Sequence, residues 1–321
     1  MGVLSNALPA LQGFFTIGVL IGLGWLLARV GVLSLDHRKM MSFLALYVAS
    51  PALMFTIMVQ ADLSKVFAHS VIAAYGSIAI VASLSAIVSK AVYRRDAAET
   101  TIDAMLACYS NAGNLGIPVA AYALKDVTWV VPILLVQLVI LQPFTLAVLD
   151  WRKARLTGIR PSVASLISLP VRNPLTLSVL LGLAINLIHG RVSWFALPDF
   201  VNHPIQMLGD VAVPMMLLAF GISLCLDPKP AQGAEQRQSW FVASLKVLVQ
   251  PLVAYILAAW VLHLDPTSVR AVTVVSCLPS AQNLFVIASR YEVRMVFARD
   301  TIFRGTVASV FVILVAATVL A

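Results

Sequence analysis

Charged residues are scarce in this chain. Asp, Glu, Lys and Arg make up 11% of its 321 residues, whereas hydrophobic residues make up 60%. Soluble domains usually have about 25% charged and about 45–50% apolar residues, so this composition excludes an ordinary water-soluble globular protein. Cysteine is also rare: the three cysteines lie in or beside apolar segments, and they indicate neither a disulfide framework nor a metal cluster.

Sequence signatures of soluble enzymes are missing as well. The chain has no glycine-rich phosphate loop followed by Lys, no nucleophile elbow and no histidine pair at metal-ligand spacing. Its five histidines all map near the ends of apolar segments. We therefore predict no enzyme activity, no cofactor and no metal site.

Long segments without any charged residue recur along the whole chain. Most of them reach the roughly 17–25 residues that a helix needs to cross a bilayer. Together with one weaker segment, which carries Asp210, they predict ten spans, over residues 8–28, 40–60, 67–89, 102–124, 128–149, 174–190, 204–226, 240–263, 268–289 and 300–320. The predicted fold class is an all-α polytopic membrane protein embedded in the lipid bilayer.

The cations between the spans alternate in number along the chain. Odd-numbered loops hold 18 of the 22 Lys and Arg residues, and four even-numbered loops hold one each. By the positive-inside rule, both termini face outside and the loop after the fifth span is cytoplasmic. Membrane topology thus explains the net charge of +8, and no nucleic-acid partner is predicted.

Three short matches relate the two halves of the chain. They pair Val19–Leu23 with Val179–Leu183, Val48–Pro51 with Val211–Pro214, and Cys108–Leu115 with Cys277–Leu284. We predict two five-span repeats, residues 1–150 and 174–321, joined by a cytoplasmic linker at 151–173. Because five is odd, the second repeat enters the membrane inverted, which is typical of secondary transporters.

Spans 4 and 9 contain residues that interrupt helices. The stretch Ser110–Pro118 holds two Gly, two Asn and a Pro, and Leu278–Phe285 is a second central interruption. Proline lacks the amide hydrogen that a helix uses, and glycine resists a fixed backbone. A simple kink would explain either interruption alone, but breaks at corresponding positions of both repeats favour two broken helices that cross.

Broken helices at this depth predict an anion site. Their second halves begin near Pro118 and Ser280, where helix N-termini present free amides and partial positive charge. Neutral Asn side chains add donors, whereas no Lys or Arg is expected at mid-membrane. The predicted substrate-binding residues are Asn111, Asn114, Gly116, Pro118, Gln137, Pro279, Ser280 and Asn283. An ordinary hydrogen bond between helices is the alternative for each Asn and for Gln137, with Gln142 as a rival of Gln137.

Other polar groups within the spans are less informative. Asp210 and Lys246 lie about two turns inside their span ends, so we expect snorkelling to the membrane surface or an ion pair. Asp210 is also a candidate for proton coupling. Asp103 maps near the cytoplasmic face and is expected to be an interface or gate charge, while Cys108 and Cys277 are expected to be small packing residues.

The two interruptions resemble the crossover motifs of the auxin efflux carrier family in its bacterial form. The matching stretches are Asn111–Pro118 and Leu278–Tyr291, with weaker matches at Pro51–Phe55, Pro214 and Gly221, and the likeness covers essentially the whole chain. It implies ten helices, a scaffold of spans 1, 2, 6 and 7, and a transport domain of spans 3–5 and 8–10 that moves as an elevator, often within a homodimer. It also implies a bacterial inner membrane and assigns the family's crossover residues to Asn111, Pro118 and Asn283.

The resemblance also narrows the substrate. The plant hormone carriers have a second proline where Leu284 stands here and a long regulatory loop where residues 150–172 are short, which argues against the plant hormone. Bacterial relatives are linked to small carboxylates such as malonate or malate. We expect a secondary transporter of small organic anions, with coupling to H⁺ or Na⁺ left open. The alternatives are a cation/proton antiporter, a sodium-coupled symporter, and a sensor that binds the anion without transporting it.

Overall fold

The regular structure of the protein is helical throughout the part of the chain described by the computed structural model. That part comprises residues 2–60, 69–116, 119–158, 174–191, 198–226 and 232–320. Pro118 and most of the predicted linker 151–173 lie outside it. The predicted all-α fold class therefore agrees with the structure of the described residues.

Eleven helices, numbered in chain order, build the described residues. They are α1 (Gly2–Arg29), α2 (Leu35–Gln60), α3 (His69–Ala91), α4 (Ala97–Cys108), α5 (Pro132–Leu156), α6 (Pro174–Arg191), α7 (Asp199–Leu226), α8 (Ala234–Val261), α9 (Pro266–Ser276), α10 (Asn283–Tyr291) and α11 (Met295–Val319). Between α4 and α5 the chain forms π-helical turns at Ala112–Gly116 and Ala120–Leu124 and a short 3-10 turn at Val127–Val130.

Helical residues lie within each of the ten predicted spans. Among the described residues, five helices, α2, α3, α5, α7 and α8, are long and apolar enough to cross a membrane. The helices α4 and α9 are short because each stops at the interruption predicted for span 4 or span 9. The number of membrane crossings and their orientation stay predictions.

Proline shapes three of the long helices. Each contains a π-helical turn that ends two residues before a proline: Ala45–Ala49 before Pro51, Gln137–Leu141 before Pro143, and Leu245–Val249 before Pro251. Because proline has no amide hydrogen and its ring collides with the carbonyl four residues earlier, a wider turn at that point relieves the clash. Two of these turns place polar side chains, Gln137 and Lys246, inside the protein.

The helices α1, α2, α6 and α7 form one group, called here the glycine-packed bundle. A Cβ atom on Gly221 of α7 would collide with the backbone of α1 at Ile21, and one on Gly182 of α6 would collide with the backbone of α2 at Phe55. Asn186 of α6 donates hydrogen bonds of 2.9 and 3.0 Å to two carbonyls of α2. Since α7 also packs along α2, backbone contacts hold these four helices to one another.

The remaining helices, α3, α4, α5 and α8–α11, form a second group, called here the crossing bundle. The broken helix α4 is surrounded by α3, α5, α8, α10 and α11, and α9 packs against α3, α8 and α11. Ile102, Leu106 and Phe285 are among its fully buried side chains. The two interruptions are therefore packed within protein, as unpaired backbone at membrane depth requires.

Candidate functional site

The two interrupted helices meet at their breaks. Beyond the ends of α4 and α9, Ser110 and Ser280 face each other in an antiparallel bridge. The backbone hydrogen bonds run from Asn111 N to Pro279 O (2.8 Å) and from Ala281 N to Tyr109 O (3.1 Å). They pair amides and carbonyls that the breaks would otherwise leave unsatisfied inside an apolar protein. We call this pairing of the two segments the crossing.

The chain continues differently on the two sides of the crossing. After the first break, the amides of Leu115 and Gly116 both donate to the Asn111 carbonyl (3.2 and 3.0 Å) in a π-helical turn. After the second break, α10 begins at Asn283; no side chain caps it, and the amides of Leu284 and Phe285 donate to the carbonyls of Ala281 and Gln282 (3.2 and 3.0 Å). The first amides of an α-helix have no carbonyl partner within the helix and carry partial positive charge. The start of α10 therefore adds positive potential at the crossing.

A cavity of about 50 Å³ lies beside the crossing, between the two bundles. Leu53, Met54 and Ile57 of α2 and Met216 of α7 form an apolar wall. The opposite wall is polar and belongs to the crossing bundle; its polar residues are Tyr109, Ser110, Asn111, Gln137, Gln282 and Asn283. Among the described residues, no charged side chain lines this cavity.

Hydrogen bonds link the amide and hydroxyl groups of the polar wall. Asn111 Nδ2 donates to Gln282 Oε1 across the crossing at 2.6 Å. The Tyr109 hydroxyl donates to Gln142 Oε1 of α5 at 3.0 Å, and Asn283 Nδ2 lies 3.3 Å from both of those oxygen atoms. This network connects both breaks with α5 and fixes the orientation of the amides.

Three polar atoms of the same wall have no hydrogen-bond partner among the described residues: Ser110 Oγ, Gln137 Nε2 and Asn283 Oδ1. Leaving a buried polar group unpaired costs about 1–3 kcal/mol. The Ser110 hydroxyl and the Gln137 amide can donate to an anion, and Asn283 Oδ1 can accept from a hydroxyl or a protonated carboxyl group. Unpaired polar groups on residues that line one cavity are typical of a ligand site.

The predicted site residues fall into two sets in the structure. Asn111, Gln137 and Asn283 line the cavity together. Pro279 and Ser280 instead build the crossing: Pro279 contributes its carbonyl, and the Ser280 hydroxyl donates to the Leu106 carbonyl of α4 at 2.6 Å.

Gly116 has a packing environment. A Cβ atom there would lie 3.0 Å from the side chains of Leu278 and Val130, so the missing side chain lets the π-helical turn approach the second break and the turn before α5. The side chain of Asn114 and the whole of Pro118 lie outside the described part of the structure, and their roles stay predictions.

Three polar residues of the cavity lining were not selected from the sequence: Tyr109, Ser110 and Gln282. Gln282 directly precedes Asn283 within the second interruption, and its amide offers the same hydrogen-bonding groups as that of Asn. Gln282 could therefore have been selected from the sequence by the same reasoning as Asn283. Tyr109 and Ser110 adjoin Asn111, but only their contacts across the crossing distinguish them from ordinary packing residues.

Asp210, the candidate for proton coupling, does not line the cavity. It is the last residue of the first part of α7, and its side chain is exposed. Its participation in coupling stays a prediction.

Lys246 contradicts the expectation of snorkelling or an ion pair. Its side chain has no exposed surface, and its ammonium donates to Gln250 Oε1 (2.6 Å) and to the Ser276 carbonyl (3.2 Å). Because Ser276 is the last residue of α9, the ammonium lies at the depth of the second break. The expectation that no cation lies at this depth is therefore wrong.

A second polar region, called here the charge cluster, joins α3, α4 and α8 to the turn before α11; Asp103 is fully buried, whereas the side chain of Glu235 is 43% exposed. Its residues are Ser89, Arg95, Asp103, Glu235, Gln238 and Arg294. Arg294 lies 2.8 Å from Asp103, whose carboxylate also accepts from Ser89 and Gln238 at 2.7 Å each. Arg95 pairs with Glu235 at 2.7 Å. Burial lowers the pKa of Arg294, and the charge of Asp103 opposes that shift.

Two comparisons with known proteins agree with each other. The family described as Membrane transport protein matches residues 10–317. A protein of Rhizobium meliloti (strain 1021), named "Putative malonate transporter", is 28% identical over 298 residues, which cover 91% of this chain and 89% of that protein. Together with the long apolar helices, the family makes this chain a multi-pass membrane transporter. The chain belongs to the Membrane transport protein family, which is the auxin efflux carrier family that its two interrupted spans resemble.

Proposed function

We propose that this protein is a secondary transporter of small organic anions, carboxylates above all, and that it holds the substrate at the crossing. The observation that carries the proposal is the polar cavity wall with three unpaired polar atoms, next to the uncapped start of α10. A helix N-terminus is equivalent to roughly +0.5 elementary charge. Two donors and this dipole suit a carboxylate, whereas the antiporter alternative requires a carboxylate side chain that the described cavity lining lacks.

The small volume of the cavity supports a mechanism in which the two bundles move relative to each other. One water needs about 10–15 Å³ of such a volume, so the cavity of about 50 Å³ holds only a few waters. Its walls must separate before a dicarboxylate can enter. Because one wall belongs to the glycine-packed bundle and the other to the crossing bundle, a shift of one bundle along the other would change both its size and its access.

The division into two bundles with the cavity between them supports an elevator mechanism. The glycine-packed bundle would be the scaffold, corresponding to spans 1, 2, 6 and 7, since backbone contacts hold its helices together. The crossing bundle would be the transport domain of spans 3–5 and 8–10, which the charge cluster and the crossing hold together. The substrate would travel with the polar wall while the apolar wall stays in place.

The remaining features belong to the same proposal. Ten spans in two inverted repeats, both termini outside and a bacterial inner-membrane location are supported by the alternation of loop cations and by the family resemblance. A homodimer is supported by the resemblance alone. The name of the Rhizobium relative makes malonate the first compound to test.

The decisive experiment measures uptake of labelled malonate by proteoliposomes that contain the purified protein. Asn111→Ala removes an amide nitrogen with two hydrogens, one of which is bonded to Gln282 while the other can donate to the substrate. A hydrogen bond to a charged group contributes about 1.5–3 kcal/mol, so we expect malonate affinity to fall by about one to two orders of magnitude. Asn202→Ala, on α7 and away from the cavity, is the matched control and should behave as the wild type.

Two results would contradict the proposal in different ways. Unchanged affinity and transport in Asn111→Ala would refute the location of the site. Saturable binding of carboxylates by the wild type without flux would refute transport and favour an anion sensor.

A further inference from the structure

Lys246 is a buried cation whose partners are neutral. Its two hydrogen-bond acceptors are the Gln250 amide oxygen and the Ser276 carbonyl. Among the described residues, no carboxylate lies within ion-pair distance of its ammonium. The thiols of Cys108 and Cys277 are the titratable groups close enough to interact with it electrostatically. Burying an ammonium without compensation costs several kcal/mol, so other negative potential must stabilise it.

That potential is available from the ends of the two broken helices. Cys108 is the last residue of α4, and Ser276 and Cys277 end α9, so Lys246 lies near both C-termini. The C-terminus of an α-helix is equivalent to roughly −0.5 elementary charge. Two such ends together offer about one negative charge, which matches one ammonium.

The position of the Lys246 ammonium is informative because coupling cations usually bind at such helix ends. In transporters built from inverted repeats, the C-terminal ends of broken helices coordinate the coupling Na⁺ or H⁺. The π-helical turn Leu245–Val249 brings the lysine from α8 to this place. The cavity, in contrast, is lined from α2, α5, α7 and the crossing.

We infer that the ammonium of Lys246 is a resident cation that takes the place of a coupling ion at the C-terminal ends of α4 and α9. The inference rests on the proposed function, in which the crossing moves with its substrate. The lysine moves with the crossing because it belongs to the same bundle. In its protonated form it therefore supplies a positive charge at the C-terminal end of α9, and transport needs no Na⁺.

Lys246 acts through the crossing and not by touching the substrate, so it is a positioning residue. Its role can be separated from simple packing by chemical rescue. Lys246→Ala vacates the place of the ammonium, and a small external cation can then occupy it. Lys246→Met fills the same space with an apolar chain and leaves no room for a cation. Lys90→Ala, at the exposed end of α3, is the control.

The experiment measures thermal stability without substrate, and malonate uptake, in NaCl, methylammonium chloride and choline chloride at equal ionic strength. We expect wild type and Lys90→Ala to be the same in all three salts. Coupling between two sites typically changes affinity by about 5- to 150-fold, so in choline the malonate concentration that gives half-maximal uptake by Lys246→Ala should rise by such a factor. Na⁺ or methylammonium should restore its stability and transport, while Lys246→Met stays impaired in every salt.

Three results would overturn the inference: stabilisation or stimulation of the wild type by Na⁺, an Lys246→Ala variant insensitive to cations, or an Lys246→Met variant as active as the wild type. The measurements on the wild type in the three salts test the inference even if Lys246→Ala does not fold. The stability measurements need no substrate, so they test the resident cation even if the wild type transports no carboxylate. In that case the proposed function fails separately.

Discussion

The polar wall of the cavity and the charge cluster are two polar regions of the crossing bundle, and they are built from different chemical groups. The polar wall of the cavity consists of amides and hydroxyls, and three of its polar atoms are unpaired. The charge cluster also has polar atoms without a hydrogen-bond partner among the described residues, on Arg95, Asp103 and Arg294. Its Arg and Asp or Glu side chains, however, face opposite charges at 2.7 to 3.5 Å. The unpaired atoms of the cavity therefore belong to neutral groups, whereas those of the charge cluster belong to charged groups that already have a partner of opposite charge.

This difference separates a ligand site from a structural joint. Buried charges destabilise a protein strongly when they lose their partners, so a cluster of mutually paired charges holds helix ends together. Unpaired neutral groups cost less, and a ligand can satisfy them. We therefore expect substitutions in the charge cluster to change stability, and substitutions in the cavity to change anion binding.

The largest effect is expected for Arg294→Met. Methionine keeps much of the length of the side chain but leaves Asp103, which has no exposed surface, without its cation. Breaking a buried ion pair on one side costs about 3–5 kcal/mol. Thermal or denaturant unfolding in detergent should show this loss, while the molecules that remain folded should bind malonate as the wild type does. Normal stability would show that the cluster is not a joint.

Gln137→Leu should have the opposite effect on stability. Nε2 of Gln137 is buried without a partner among the described residues, so an apolar side chain of similar size removes a penalty of about 1–3 kcal/mol. The variant should be more stable than the wild type and should bind carboxylates more weakly. Gln142→Leu is the matched control: it removes the acceptor of Tyr109 and should lower stability. A Gln137→Leu variant with full transport would exclude Gln137 from the site.

Tyr109→Phe should give a smaller, mixed effect. The ring stays in place, but Gln142 loses a donor and Asn283 loses one of its two acceptors. A neutral hydrogen bond contributes about 0.5–1.5 kcal/mol, so stability should fall slightly and malonate affinity by up to about tenfold. Parallel unfolding and binding measurements on one preparation check both parts. Loss of stability without any change in affinity would assign Tyr109 to packing alone.

The breaks and part of the site could be predicted from the sequence because their signals are local. Gly113, Gly116 and the nearby Asn residues interrupt an apolar segment, and a second interruption follows in the other predicted repeat. Opposed directions of the two spans then suffice to bring Asn111 near Asn283. Gly116 shows the limit of such a signal, since glycine marks close packing and ligand contact alike.

The position of Lys246 could not be predicted, because it depends on an irregular turn. Counting from the end of span 8 suggests a side chain that reaches the membrane surface. The π-helical turn at Leu245–Val249 changes the helical phase, and one residue corresponds to about 100° of rotation. Similarly, the pairing of Asp103 with Arg294 joins residues far apart in the chain, so only the packing of α4 against the turn before α11 reveals it.

The smallest effect is expected for Arg152→Ala. Like Arg294 and Asp103, Arg152 and Asp96 form an Arg–Asp ion pair, but this pair is partly exposed, so the variant tests whether burial determines the size of the effect. Arg152 Nε lies 3.2 Å from Asp96 Oδ2, but the two side chains are 32% and 48% exposed. Such pairs contribute about 0–1 kcal/mol, and salt screens them. Arg152 is the better partner to change because Asp96 also caps α4 through the Glu99 amide at 2.8 Å. If Arg152→Ala and Arg294→Met lowered the free energy of unfolding equally, burial would not be what distinguishes the charge cluster, and the contrast with the cavity would lose its physical basis.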